Sequence, residues 1–139
     1  GALIWSLRER GRRTSGPEYM LAQQDMQRAA RDVSAFSDSY DAWLTPTLGR
    51  PPVLTGELKF GAGDPFENRR RQAEFTPFTP LSNATGQPAL SVPLYWNDEG
   101  LPIGVHFVGR FGDEAGLIRL AAQLDEARPW SGRRPPVSA

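Results

Sequence analysis

Residues 76–110, TPFTPLSNATGQPALSVPLYWNDEGLPIGVHFVGR, decide how this chain is read. Two apolar runs, 89–95 and 101–108, are separated by Trp96-Asn97-Asp98-Glu99-Gly100. In that gap polar turn formers and a glycine let the backbone reverse. The pattern predicts a β-hairpin. In the second run Ile103, Val105 and Phe107 alternate with Gly104, His106 and Val108, so both faces carry mostly small or apolar side chains. That alternation predicts an interior strand pair with helices on both faces. Ahead of it, Asn83-Ala84-Thr85-Gly86-Gln87-Pro88 has the composition of a fixed turn leading into a buried strand.

Upstream, Ser15-Gly16-Pro17-Glu18 reads as a helix start, with Ser15 as cap, Pro17 in the first turn and Glu18 three residues on. Tyr19, Ala22, Met26, Ala29, Val33, Phe36 and Tyr40 then recur at steps of three and four, which draws one apolar stripe along a helix over 15–40. The expectation is core packing; the alternative is a groove for a partner helix. Ala42-Trp43-Leu44 predicts a short buried strand that Pro46 must stop, since proline cannot donate to a ladder. Residues 47–75 are loop-rich, with Pro51-Pro52, Gly56, Gly61, Gly63 and Pro65, before a helix expected over 65–73. Arg69-Arg70-Arg71 fan around most of a turn there and cannot form one phosphate-gripping face.

Downstream, Gly112-Asp113-Glu114 places two carboxylates at a helix N-terminus, where unpaired N–H groups favour negative charge. Asp113 is expected to cap that helix. Leu117, Leu120, Ala121, Leu124 and Ala127 form its apolar face and Pro129 ends it. Trp130 is expected to dock, and residues 131–139, with Pro135-Pro136, to form a loose tail. At the other end, Leu3, Ile4, Trp5 and Leu7 precede Arg8, Arg10, Arg12 and Arg13 without a capping residue. Residues 1–14 therefore read as the end of an element whose beginning lies outside the chain.

The 139 residues suit one domain. Sixteen basic and sixteen acidic residues cancel, which gives no long-range pull toward nucleic acid or an anionic membrane. Without cysteine there is neither a disulfide framework nor a thiolate metal site. No apolar run approaches the roughly 20 residues of a membrane span. The expectation is a cytoplasmic protein that binds neither nucleic acid nor membrane.

Catalysis requires a nucleophile, a base and a group that orients the base, and the residues do not converge on such a set. His106 is the sole histidine and sits mid-strand, where a hydrogen-bonded structural role is expected over general-base work. Ser91 lies within a strand and lacks the sharp Gly-x-Ser-x-Gly elbow that exposes a nucleophile. The carboxylates read as caps and exposed charges, and no histidine cluster suggests a metal. No cofactor is expected.

Five short motifs nonetheless occur in an informative order: Tyr40-Asp41-x-x-Leu44-Thr45-Pro46-Thr47; Asn83-x-Thr85-Gly86-x-Pro88-Ala89-x-Ser91-Val92-Pro93; Gly100-Leu101-Pro102-Ile103-Gly104-Val105; Val108-Gly109-Arg110; and Asp113-Glu114-Ala115. Together they resemble the C-terminal portion of the amidase signature family, and within it the bacterial amidases of the 6-aminohexanoate-cyclic-dimer hydrolase-like type. The resemblance implies an α/β chain, the C-terminal part of that fold, with a short mixed β-sheet flanked by α-helices. It implies a parent enzyme that hydrolyses carboxamide C–N bonds through an acyl-serine intermediate.

The family's serine nucleophile, its second serine and its lysine lie in a glycine- and serine-rich stretch of the other half. No such stretch occurs here, and Lys59, the one lysine, does not match the triad position. No catalytic residue carries over, so the chain by itself is expected to be inactive. The resemblance implies that the segment 75–79 approaches substrate, which makes Thr76 and Phe78 candidate substrate-binding residues, with Asn83 beyond it as a third candidate. Thr76 would supply a hydrogen bond and Phe78 an apolar wall, with plain loop packing as the alternative; Asn83 reads as a turn-fixing amide before a ligand contact. Their chemistry suits a small-molecule amide with a neutral or apolar acyl group. The expected partners are the N-terminal catalytic half and, through unpaired strand edges, another copy of the chain. The alternative is a stand-alone binding module derived from this half.

Overall fold

The computed structural model describes residues 1–58 and 64–133. Lys59, Gly61, Gly63 and the Pro135-Pro136 pair lie outside the described residues. The elements follow in the order α1 (Ala2–Arg13), α2 (Gly16–Ser37), β1 (Ala42–Pro46), α3 (Pro65–Phe75), α4 (Thr79–Thr85), β2 (Ala89–Trp96), β3 (Pro102–Gly109) and α5 (Glu114–Ala127).

β2 and β3 form the expected hairpin. Its turn is closed by the Asn97 carbonyl accepting from the Gly100 amide at 2.9 Å and by the Asn97 side chain accepting from the Leu101 amide at 2.8 Å. The hairpin is not wholly interior. The strand order is β1-β3-β2, with both pairings antiparallel, so β3 alone is flanked on both sides. Among the described residues the outer edges of β1 and β2 are unpaired. Pro93, which brings no N–H, lies on such an edge strand beside an irregularity in register between Pro93 and Tyr95.

One face of the sheet meets α5. Val92, Phe107 and Leu117 are buried there, with Leu90, Leu94, Val105, Leu120, Leu124 and Trp130 packed around them. α5 starts where the sequence places it, because the Asp113 carboxylate accepts from the Gly116 amide at 3.0 Å. The docking of Trp130 is also observed.

The Ser15 capping box forms in full. The Ser15 amide and hydroxyl each donate to the Glu18 carboxylate at 2.7 Å, and the Glu18 amide donates back to the Ser15 hydroxyl at 3.4 Å. These bonds hold the Glu18 carboxyl below its ordinary value. The fate of the apolar stripe on α2 differs from expectation. Tyr19, Met26, Phe36 and Tyr40 are between 47% and 56% exposed, and Ser37 is the one buried residue of the helix. Periodicity marks the face suited to be covered; among the described residues its C-terminal end packs against α4 and the Trp43 ring, which lies 5.5 Å from Phe36.

Two further expectations are corrected. β1 ends at Pro46 as expected, but it is an edge strand with Leu44 66% exposed, so it is not a buried strand. Proline is tolerated there because an edge position does not need its donor. Asn83 and Thr85 belong to the short helix α4, and the turn itself is made by Gly86, whose φ of +74° places it in the left-handed region. The 65–75 helix is capped by Asp64, which accepts from the Phe66 amide at 3.0 Å. Arg70 is occupied by Glu67 and Glu74, so the arginine run presents no joint anion site.

Candidate functional site

The sheet face away from α5 carries the chain's concentrated polar chemistry. Thr45, His106 and Ser91 stand opposite one another across β1, β3 and β2. His106 is 4% exposed, and its Nδ1 lies 3.1 Å from the Thr45 hydroxyl. Burial lowers its pKa below the ordinary 6.5, because the charged form loses hydration that one hydroxyl does not replace. The burial favours the neutral ring. This agrees with a structural histidine.

Just beyond β1, the Thr47 amide donates to the Gly104 carbonyl at 3.0 Å and its hydroxyl lies 2.5 Å from that of Ser91. The two hydroxyls meet over Gly104. A Cβ at that position would stand 2.5 Å from Thr47 Oγ1 and 2.7 Å from Ser91 Oγ, so the glycine is what lets them pair. The Ser91 hydroxyl is thus engaged with Thr47, and the imidazole with Thr45. This geometry pairs no nucleophile with a base. Among the described residues no group of three His, Cys, Asp or Glu side chains could hold a metal ion.

The same region contains a cavity of about 300 Å³, bounded by residues 46–52 and 102–104. Its walls include Pro46, Leu48, Pro51, Pro52, Pro102 and Ile103. The sequence offered a signal for it in the closely spaced prolines of the 46–52 loop. The join to the start of β3, however, depends on a contact between residues more than fifty apart in the chain.

The residues singled out from the sequence lie elsewhere. Thr76 caps α3, and its hydroxyl donates to the Gln72 carbonyl at 3.1 Å. It borders a recess of about 170 Å³ formed with Arg69, Gln72, Ala73 and Pro80, without Phe78 or Asn83. Phe78 is half-buried at the start of α4, and Asn83 is exposed on that helix.

The recurrent motifs are tied to each other. Arg110 donates to the Tyr40 carbonyl at 2.9 Å and to the Asp41 carboxylate at 3.1 Å. The buried Gln87 amide donates to Ser37 at 2.9 Å and to the Gly109 carbonyl at 3.0 Å. The segments around residues 40, 87 and 110 are thereby one structural unit. The sequence profile of the family described as Amidase matches residues 4–118.

The chain belongs to the Amidase family. The putative amidase AmiC of Mycobacterium leprae (strain TN) is 40% identical over 106 residues, covering 76% of this chain and 22% of that relative. The 6-aminohexanoate-cyclic-dimer hydrolase of Paenarthrobacter ureafaciens is 31% identical over 137 residues, covering 94% of this chain and 28% of that enzyme. The solved structure of a 6-aminohexanoate cyclic dimer hydrolase superposes with a TM-score of 0.88 over 96% of this chain and 29% of that one, at 31% identity. This amidase chain thus spans about a quarter of the length of the curated relatives it matches. Its mixed α/β fold, a short sheet with flanking helices, is that of amidases, although the three strands described here pair only antiparallel.

Proposed function

We infer that this chain is the C-terminal portion of an enzyme that hydrolyses the C–N bond of small carboxamides through an acyl-serine intermediate. The match of residues 4–118 to the Amidase family carries the reading. In this division of labour the remaining portion supplies the serine nucleophile, its activating partners and the oxyanion donors. The present portion supplies sheet, covering helices and part of the substrate pocket. Thr76, Phe78 and Asn83 are proposed as substrate contacts, with Thr76 giving a hydrogen bond and Phe78 an apolar wall.

The exposed stripe on α2 and the unpaired edges of β1 and β2 are the surfaces on which the catalytic portion docks; in its absence they favour self-association. The reading includes a cytoplasmic location; no described helix is long and apolar enough to cross a membrane.

The test has two arms. The 139-residue chain, incubated with linear amides of 6-aminohexanoate, is expected to show no turnover, and a serine-directed fluorophosphonate is expected not to label it. Grafted in place of the matching segment of the 6-aminohexanoate-cyclic-dimer hydrolase, it is expected to give measurable amide hydrolysis. In that chimera Phe78→Ala should raise KM more than it lowers kcat. Labelling of the isolated chain that disappears in Ser91→Ala would show a nucleophile in this portion and overturn the proposed division.

A further inference from the structure

The cavity between the 46–52 loop and the start of β3 is chemically one-sided. Six of its lining side chains, those of Pro46, Leu48, Pro51, Pro52, Pro102 and Ile103, are apolar, and four of them are prolines that hold their shape without rotamer freedom. Its volume of about 300 Å³ falls at the small end of ligand sites, which run from roughly 300 to 1,000 Å³.

Among the described residues Arg50 is the sole charged residue that lines the cavity, and it is already paired. Its guanidinium pairs with Glu57 at 3.1 Å and lies 5.7 Å from the centre of the Phe75 ring. A ligand carrying its own charge would find no unpaired counter-charge among the described lining residues and would lose hydration on entry.

The polar handle is Thr47. Its hydroxyl and that of Ser91 are 2.5 Å apart and share one hydrogen between them. With Ser91 as donor, the Thr47 O–H is left to donate to an acceptor in the cavity. Ser91 does not itself line the cavity, so it acts on a ligand through Thr47.

We propose that this cavity is a subsite for the uncharged hydrocarbon chain of a short amide, with the Thr47 hydroxyl donating to an oxygen of that ligand and Ser91 holding Thr47 in position. The class of ligand rests on the amide-hydrolase reading; the site rests on the cavity and the hydroxyl pair. It is distinct from Thr76 and Phe78, which do not line it.

The probes are hexanamide and hexanoate, titrated into the ¹⁵N-labelled 139-residue chain and followed by amide chemical shifts. Hexanamide is expected to shift the signals of Thr47, Leu48, Arg50, Ile103 and Gly104 saturably. Hexanoate at neutral pH should bind about tenfold more weakly because its carboxylate goes unpaired. Thr47→Val should weaken hexanamide by about fivefold, the worth of one ordinary hydrogen bond, and Thr47→Ser should restore it. Signal dispersion in the same spectra reports whether each variant is folded.

Three results would each overturn the proposal: no saturable shift in residues 47–50, hexanoate binding as tightly as hexanamide, or Thr47→Ser no better than Thr47→Val. Because the readout is binding to the chain alone, a negative result leaves the hydrolase reading intact. An inactive chimera would likewise leave a positive binding result intact.

Discussion

The hairpin with α5 and the long helix α2 carry equally regular apolar patterns, yet they end in opposite conditions. On α5 the stripe closes over the sheet, and Leu117 retains 5% of its surface. On α2 a stripe of twice the reach leaves Tyr19, Met26 and Phe36 about half exposed. Periodicity fixes which face of a helix is to be covered, and it is silent on whether the cover lies in the same chain. The difference follows from what stands opposite. β2 and β3 present Val92 and Phe107 to α5, whereas among the described residues the end of α2 meets the short helix α4, Trp43 and the Gln87 amide. The amidase chain therefore has one region folded on itself and one whose apolar face stays largely exposed among the described residues.

The sharpest way to break this comparison is to remove one side chain from each region. Phe107→Ala deletes a buried ring from the small core and should cost about 3–5 kcal/mol, enough to unfold a chain of marginal stability. Met26→Ala, on the open stripe, should change the urea midpoint by no more than about 0.5 kcal/mol in stability. Denaturation followed by tryptophan fluorescence compares the two directly. An equally large loss at Met26 would mean that the stripe is packed in solution, and a concentration-dependent midpoint would then identify the cover as another copy.

The same contrast explains what could be read from the sequence. The hairpin, the Ser15 and Asp113 caps and the inward face of α5 were legible because each is set by residues within a turn or two of one another. α4 was not, because seven residues beginning Thr79-Pro80 are too few to show a period, and Asn83 and Gly86 together imitate a loop. The edge position of β1, and with it the exposure of Leu44, depends on which strands pair. That is a non-local fact which alternation within a strand does not encode. The cavity beside Thr47 was missed for the same reason, since its walls come from two distant segments. Thr76, Phe78 and Asn83 came from resemblance alone, and the structure spreads them over a helix end and a short helix.

A second test uses the histidine at the centre of the folded region. His106 is buried beside the uncharged Thr45 and Ser91, and its pKa in the folded chain lies below 6.5. A depressed folded value means that the unfolded chain takes up the proton first. The stabilisation is present above the ordinary pKa and is lost as pH falls through about 6.5 toward the folded value. The denaturation midpoint should therefore be level from pH 8 to 7 and decline below that. His106→Gln, which keeps a hydrogen-bonding side chain without a titrating proton, should remove the decline. A dip that survives the substitution would assign the pH dependence to surface carboxylates and leave the sheet centre indifferent to pH.

The smallest effects should come from the two caps, and they test whether α2 unfolds with the rest or by itself. Ser15→Ala and Asp113→Ala each remove a side-chain acceptor for an N-terminal amide, a loss of about 1 kcal/mol. At Asp113 the helix is locked to the sheet through Leu117, so the loss should appear in the global denaturation midpoint. At Ser15 the helix start has no buried neighbour, so fraying there need not unfold the core. Ser15→Ala should accelerate amide exchange in the first turns of α2, at Tyr19 to Gln23, and leave exchange in β3 and the global midpoint unchanged. Slowed β3 opening lost in Ser15→Ala would join the two regions into one cooperative unit and dissolve the distinction between them.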